Sequence, residues 1–168
     1  MVAFFSQYPK ITYNKRTIRD ITIRLDFLSK IKNNVTLFQF TNLVDGERPE
    51  DIALKYYGDP ELFWVVLFCN DIIDPYYDWL LTEARLNEYV VSKYGAENTT
   101  KIHHYQTSSE SDYGSGVWCS STEPFAQAIT NYEYEKAENE KKRKIKILKN
   151  RYIQQVITEY KKELRNRD

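Results

Sequence analysis

The chain has 168 residues, of which 42% are hydrophobic and 15% aromatic, and its 24 Lys/Arg balance 24 Asp/Glu. This composition excludes a wholly disordered chain and a uniformly basic nucleic-acid binder. The longest apolar run, Leu62 to Cys69, is far short of the roughly 20 residues that a membrane-spanning helix needs. No secretory leader is evident at the Met1 end, and Cys69 and Cys119 lack paired spacing, so a reduced, cytosolic history is expected. The charge is balanced only as a whole. Lys141 to Asp168 holds eleven Lys/Arg against three Asp/Glu, which leaves the rest of the chain acidic. That asymmetry suits docking by complementary surfaces and equally a solvated helix face.

Residues 1–35 read as an N-terminal extension. Pro9 keeps Tyr8 out of the α region, so Ser6 to Pro9 is turn or extended chain. From Asp20 to Ile31, Ile21, Leu25, Leu28 and Ile31 follow helical spacing, with a competing strand reading through Ile21, Ile23 and Leu25. Val35 to Leu43 alternates and is rich in β-formers, which predicts a strand, and Asp45-Gly46 supplies a turn. Pro49-Glu50-Asp51 opens a helix with buried Ile52, Ala53 and Tyr56, and Gly58 ends it. Asp59 then caps a second helix starting at Pro60, apolar on nearly every face and closed by Asn70-Asp71. A loop through Ile72 to Pro75 leads to an expected strand at Tyr77 to Leu81.

Leu86, Tyr89, Val90 and Tyr94 predict a helix over 82–94, stopped by Gly95. Residues 95–124 turn Ser/Thr/Gly-rich and read as a loop or hairpin insertion, with short strands near 102–106 and 117–119. Residues 125–168 read as one long amphipathic helix. Its stripe is Ile145, Leu148, Tyr152, Val156, Tyr160 and Leu164, widened by Ile153 and Ile157, and no Gly or Pro follows Phe125. Such a helix would run roughly 60 Å at 1.5 Å per residue, beyond a domain of this size, so its stripe would need a partner's surface.

The search for chemistry yields little. Cys119 with His103 or His104 could form a nucleophile–base pair, but no orienting motif accompanies them. Adjacent histidines on a strand point apart, and no further ligand spacing makes them a metal site. Asp71, Asp74 and Asp78 lack the central Gly and closing Glu of an EF-hand and read as loop caps. No phosphate-loop lysine motif, GxGxxG or GxSxG occurs, and paired carboxylates alone do not make a glycosidase. The expectation is no enzyme, no cofactor and no metal. Lys141-Lys142-Arg143-Lys144 lacks interleaved aromatics, which favours a solvated face or an acidic partner over nucleic acid. Among the aromatics, Phe63 with Leu67 reads as core, whereas Trp64, Tyr76, Tyr77 and Trp79 fit either core or an interface.

The segments RPEDIA, YYGDPELFWVVLFCND and DPYYDW, joined to AENEKKRKIKILK at Ala137 to Lys149, carry a family resemblance. The strand, Asp-Gly turn, two helices and Asn-Asp loop resemble a LysM module. The full combination resembles the small LysM-containing baseplate wedge subunit of T-even-type contractile-tailed bacteriophages. The resemblance implies an α+β fold: a small LysM-like β-α-α-β domain with its following helix over 36–94, the 95–124 insertion and the 125–168 helix. It implies a structural adaptor in the virion tail, assembled in the host cytoplasm. Such a subunit bridges adjacent wedges and holds them to the central hub around the tube, in six copies per baseplate. Its partners would be other wedge and hub subunits, with neither nucleic acid nor membrane. The residues expected at the protein interface are Trp64, Tyr76, Tyr77, Trp79, Ile145, Leu148, Tyr152, Val156 and Tyr160. The alternative implied by a LysM module is peptidoglycan binding, in a groove at Gly46, Glu47, Asp71 and Ile72.

Overall fold

The computed structural model describes residues 8–20, 34–108 and 114–165. In chain order these form β1 (Lys10–Tyr13), β2 (Arg16–Arg19), β3 (Phe38–Asn42), α1 (Pro49–Tyr57), α2 (Phe63–Cys69) and α3 (Glu83–Tyr94). They continue through β4 (Ile102–Thr107), β5 (Trp118–Cys119), β6 (Ala126–Thr130), α4 (Asn131–Lys141), β7 (Lys144–Leu148) and α5 (Ile153–Arg165). The class is α+β, as the sequence implied. The helix expected from Asp20 to Ile31 lies outside the described residues, apart from Asp20 itself. The chain divides into two units, Met1–Trp79 with Lys144–Asp168, and Leu80–Arg143.

In the first unit β3 pairs antiparallel with β7, Phe38 opposite Leu148 and Asn42 opposite Lys144. The order β3-α1-α2-β7 is thus strand, helix, helix, strand, and the whole second unit lies in sequence between α2 and β7. No strand forms at Tyr77 to Leu81, contrary to expectation: Tyr77 to Trp79 form a turn and bends, Leu80 and Leu81 are irregular, and the strand that pairs with β3 is β7. Lys-Ile-Lys-Ile alternates with both isoleucines buried and both lysines exposed, the pattern of a half-buried strand. Helix α1 starts as expected at Pro49, and the Arg48 N–H donates to the Asp51 carboxylate at 3.0 Å. Gly58 ends it at φ +74°, a left-handed conformation that costs glycine little. Asp59 accepts the Glu61 N–H at 3.0 Å and restarts the chain into α2.

The single helix expected over 125–168 is also corrected. The segment folds as β6, α4, β7 and α5. Thr130 caps α4, its hydroxyl accepting the Glu133 N–H while the Glu133 carboxylate accepts the Thr130 N–H. The apolar stripe is not left over for a neighbour. Leu148, Ile153, Val156, Tyr160 and Leu164 close on Tyr8, Phe38, Trp64, Val65 and Cys69 in one core. The Trp64 and Tyr160 rings lie 4.7 Å apart at 32°. Burial, with Tyr8 close by, pushes the Tyr160 phenol up. Each large side chain so buried contributes about 1.5–3 kcal/mol, more than an uninterrupted helix would recover at the two breaks.

A hairpin that the sequence did not announce precedes this domain. In β1–β2, Tyr13 faces Arg16 across Asn14 and Lys15, both at positive φ (51° and 63°). That is the geometry of a two-residue type I′ turn. The Arg19 guanidinium donates to the Tyr8 carbonyl at 2.7 Å.

In the second unit β5, β4 and β6 form an antiparallel sheet, and α3, which buries Leu86 and Val90, contacts α4. β4 and β5 fall where a hairpin was expected. The buried Asn139 side chain brackets Leu81, accepting its N–H and donating to its carbonyl, both at 2.9 Å. Buried Glu135 accepts from the Lys93 ammonium at 2.7 Å and the Tyr94 hydroxyl at 2.8 Å. Its charge is therefore compensated inside the unit.

Candidate protein-docking loop

The loop that follows α2 is built by short polar side chains turned onto its own backbone. Asn70 ends the helix, its amide donating to the Val66 carbonyl at 2.8 Å and the Lys146 carbonyl at 2.9 Å. Its amide oxygen accepts the Lys146 N–H at 2.7 Å. Asp71 follows at φ 58°, the left-handed bend that reverses the chain. The Asp74 carboxylate accepts the Tyr76 N–H at 3.0 Å. The Asp78 carboxylate accepts the N–H groups of Ile73 and Asp74, at 3.1 and 2.9 Å. The Asp78 N–H closes the turn onto the Asp74 carbonyl at 2.8 Å. Two of the three aspartates whose spacing superficially resembled a calcium loop, Asp74 and Asp78, thus serve as backbone caps. Among the described residues no group of three or more His, Cys, Asp or Glu could hold a metal ion.

Trp79 pins the far end. Its ring is 7% exposed and its indole N–H donates to the Glu47 carbonyl at 2.7 Å, tying the loop to the turn that enters α1. On this braced frame three apolar side chains point outward: Ile73 at 93% exposure, Tyr76 at 55% and Tyr77 at 51%. The two tyrosine rings meet edge to face at 4.8 Å. Rigid, amphipathic aromatics that lose little entropy on docking are the usual anchors of protein interfaces.

The other residues expected at an interface are placed differently. Trp64, Ile145, Leu148, Val156 and Tyr160 are buried in the chain's own core, so none offers a free surface. They are withdrawn because the C-terminal segment folds back over α2 instead of overhanging it. Tyr152 is half-buried, with the Arg151 guanidinium 4.7 Å above its ring. Of the groove residues, Gly46 sits at φ +84° in an open turn, and Asp71 is exposed while Ile72 is half-buried. The Glu47 carboxylate already accepts the Val44 N–H at 2.7 Å and lies 3.6 Å from the Lys55 ammonium. Ile73 was missed by sequence reading. Its signal was present, an isoleucine between two loop-capping aspartates that no helical or strand periodicity explained.

In the second unit the structure corrects a premise about the histidines. The β4–β6 register shifts between Ile102 and His104, and beside this irregularity the adjacent rings lie together instead of apart. His103 Nδ1 and His104 Nδ1 lie 2.9 Å from each other. His103 stacks on Tyr134 at 4.0 Å and His104 on Trp118 at 4.2 Å. Burial, reinforced by His103, holds His104 below its ordinary value, against a hydrogen bond with Gln106 that favours the protonated ring. The rings thus engage each other and their stacking partners, and Cys119 lies paired opposite Tyr105 on β5.

The family described as Base plate wedge protein 53 matches residues 4–115, a span that includes β3, α1, α2 and the loop carrying Tyr76 and Tyr77. The baseplate wedge protein gp53 of Enterobacteria phage T4 is 31% identical over 121 residues, which cover 60% of this chain and 60% of that protein.

Proposed function

The chain belongs to the phage baseplate wedge protein 53 family, and on that premise we propose that it is a non-enzymatic structural adaptor of a tail baseplate. In this reading it bridges adjacent wedges, holds them to the central hub around the tube, and reaches the virion by assembly in the host cytoplasm. The observation that carries the reading is the family match over residues 4–115. The braced loop supports it physically, since Ile73, Tyr76 and Tyr77 are held outward by a frame rigid enough to dock at low entropic cost. Docking sites on further wedge and hub subunits, in six copies per baseplate, are part of the same proposal.

We propose further that the first unit is a LysM-like module. The order β3-α1-α2-β7, with an antiparallel strand pair, supports it. Such a module would place a glycan between the Asp45–Arg48 turn and the loop after α2. Glu47, however, already spends its carboxylate on Val44 and Lys55, which leaves protein docking the better-supported use of this surface.

The test is genetic and visual. A phage whose reading frame for this chain is stopped early is expected to accumulate unjoined wedge parts and no complete baseplates under the electron microscope. Normal tails and normal plating without the chain would overturn the proposal.

A further inference from the structure

The β3–β7 ribbon has two edges, and they are treated differently. Lys146 lies opposite Phe40. On the β7 edge the Lys146 N–H and C=O turn outward and are both taken by the Asn70 amide, at 2.7 and 2.9 Å. Antiparallel strands alternate between residues that bond across the pair and residues that point away from it. The Lys149 N–H donates to the Leu37 carbonyl at 2.9 Å, which sets the phase. Gln39 and Thr41 therefore face β7, while Phe40 and Asn42 turn their backbone groups to the other side. Among the described residues nothing accepts the Phe40 N–H or donates to its C=O.

Open edges are normally blunted by a charge, a proline or a bulge. β3 reads Phe-Gln-Phe-Thr-Asn and has none of these. Phe40 is 52% exposed, and Val35 and Val44 beyond the two ends of the strand are 69% and 63% exposed. The exposed face beside Phe40 is basic. Lys144 and Lys146 share it, and the Lys144 ammonium already reaches over the Phe40 ring at 5.2 Å from its centre. Neither lysine has a carboxylate at ion-pair distance among the described residues.

We propose that the outer edge of β3 receives an extended acidic segment of a partner protein as a third strand. Backbone bonds to Phe40 supply the pairing, an apolar side chain covers the Phe40 ring, and carboxylates on the same face meet Lys144 and Lys146. A second copy of β3 would satisfy the backbone but bring no counter-charge. The edge is defined by the ribbon's own geometry, so failure here would leave the baseplate role standing.

The experiment is an amide NMR titration of the full chain with a capped heptapeptide of alternating valine and glutamate. The Phe40 and Asn42 amide signals are expected to move and their exchange with solvent to slow, while those of Ile145 and Ile147 hold still. A peptide with lysine in place of glutamate should bind about tenfold more weakly. Phe40→Pro, which deletes the outward N–H but no bond to β7, should abolish binding, and Phe40→Val should keep it. Should the proline variant fail to fold, the double variant Lys144→Glu/Lys146→Glu decides, and it must reverse the preference between the two peptides. Silence of the β3 amides, equal binding of both peptides, or β3 shifts that track protein concentration without peptide would each overturn the proposal, the last by making a second copy the occupant.

Discussion

Asn70 and Lys146 are 76 positions apart in sequence, yet the side-chain amide of the first pairs with both backbone groups of the second. The end of α2 is thereby fastened to the outer edge of β7, although the second unit lies between them in sequence. The contact is polar and directional, so it fixes register where apolar packing alone would tolerate sliding. It also places the first residue of the docking loop on a fixed strand.

Asn70→Ala should therefore cost about 1–2 kcal/mol, because it removes the partners of the Lys146 N–H and C=O together. Asn70→Asp keeps an acceptor for the N–H but loses both donated bonds, and should fall between alanine and the parent. Urea unfolding of the three proteins checks the order. A midpoint for the alanine variant equal to the parent's would show that the amide bridge contributes nothing.

The Asp78 carboxylate holds two loop N–H groups. Asp78→Ala should leave the core intact and raise the hydrogen-exchange rates of the Ile73 and Asp74 amides, with a stability loss of about 1 kcal/mol. Calcium or a chelator should move neither the exchange rates nor the melting temperature of the parent, since the carboxylates already serve the backbone. A calcium-dependent rise in melting temperature would contradict that assignment.

The expectation for pH rests on His104. Burial and His103 keep its folded value below the ordinary 6.5 that the unfolded chain retains. On acidification the unfolded state therefore takes up a proton that the folded state resists. Stability from this source is full above 6.5 and declines as the pH falls from there toward the lowered folded value. His104→Gln should flatten that part of the curve of melting temperature against pH, and an unchanged slope in the variant would remove His104 as its cause.

Much of the first unit was legible because its signals are local. Pro49, Gly58, Asp59 and Asn70 punctuate α1 and α2 by their own backbone and capping chemistry, and the structure uses all four in that way. β7 was misread for a physical reason. Ile145 and Leu148 fit a helical stripe as well as Ile145 and Ile147 fit a strand, and the deciding partner, β3, lies about a hundred residues earlier. Lys142 and Arg143 end α4 without a glycine or proline, so the break left no mark in composition. The Asn14-Lys15 turn lacks the glycine that usually announces a type I′ hairpin. At the docking loop the tyrosines were visible as candidates and Asp74 and Asp78 as loop caps, because those bonds are local, whereas the bond from Trp79 to Glu47 is tertiary and became apparent only in three dimensions.

The most direct measurement is complementation of a phage lacking this chain by the double variant Tyr76→Ala/Tyr77→Ala, with purified protein melted in parallel. Both rings are exposed, so the variant should melt within a degree or two of the parent, surface changes rarely exceeding about 0.5 kcal/mol. The account predicts that this stable protein nevertheless fails to yield complete baseplates or infectious particles. Particles at the parent's yield, made with a variant that is folded and present in the tail, would contradict it.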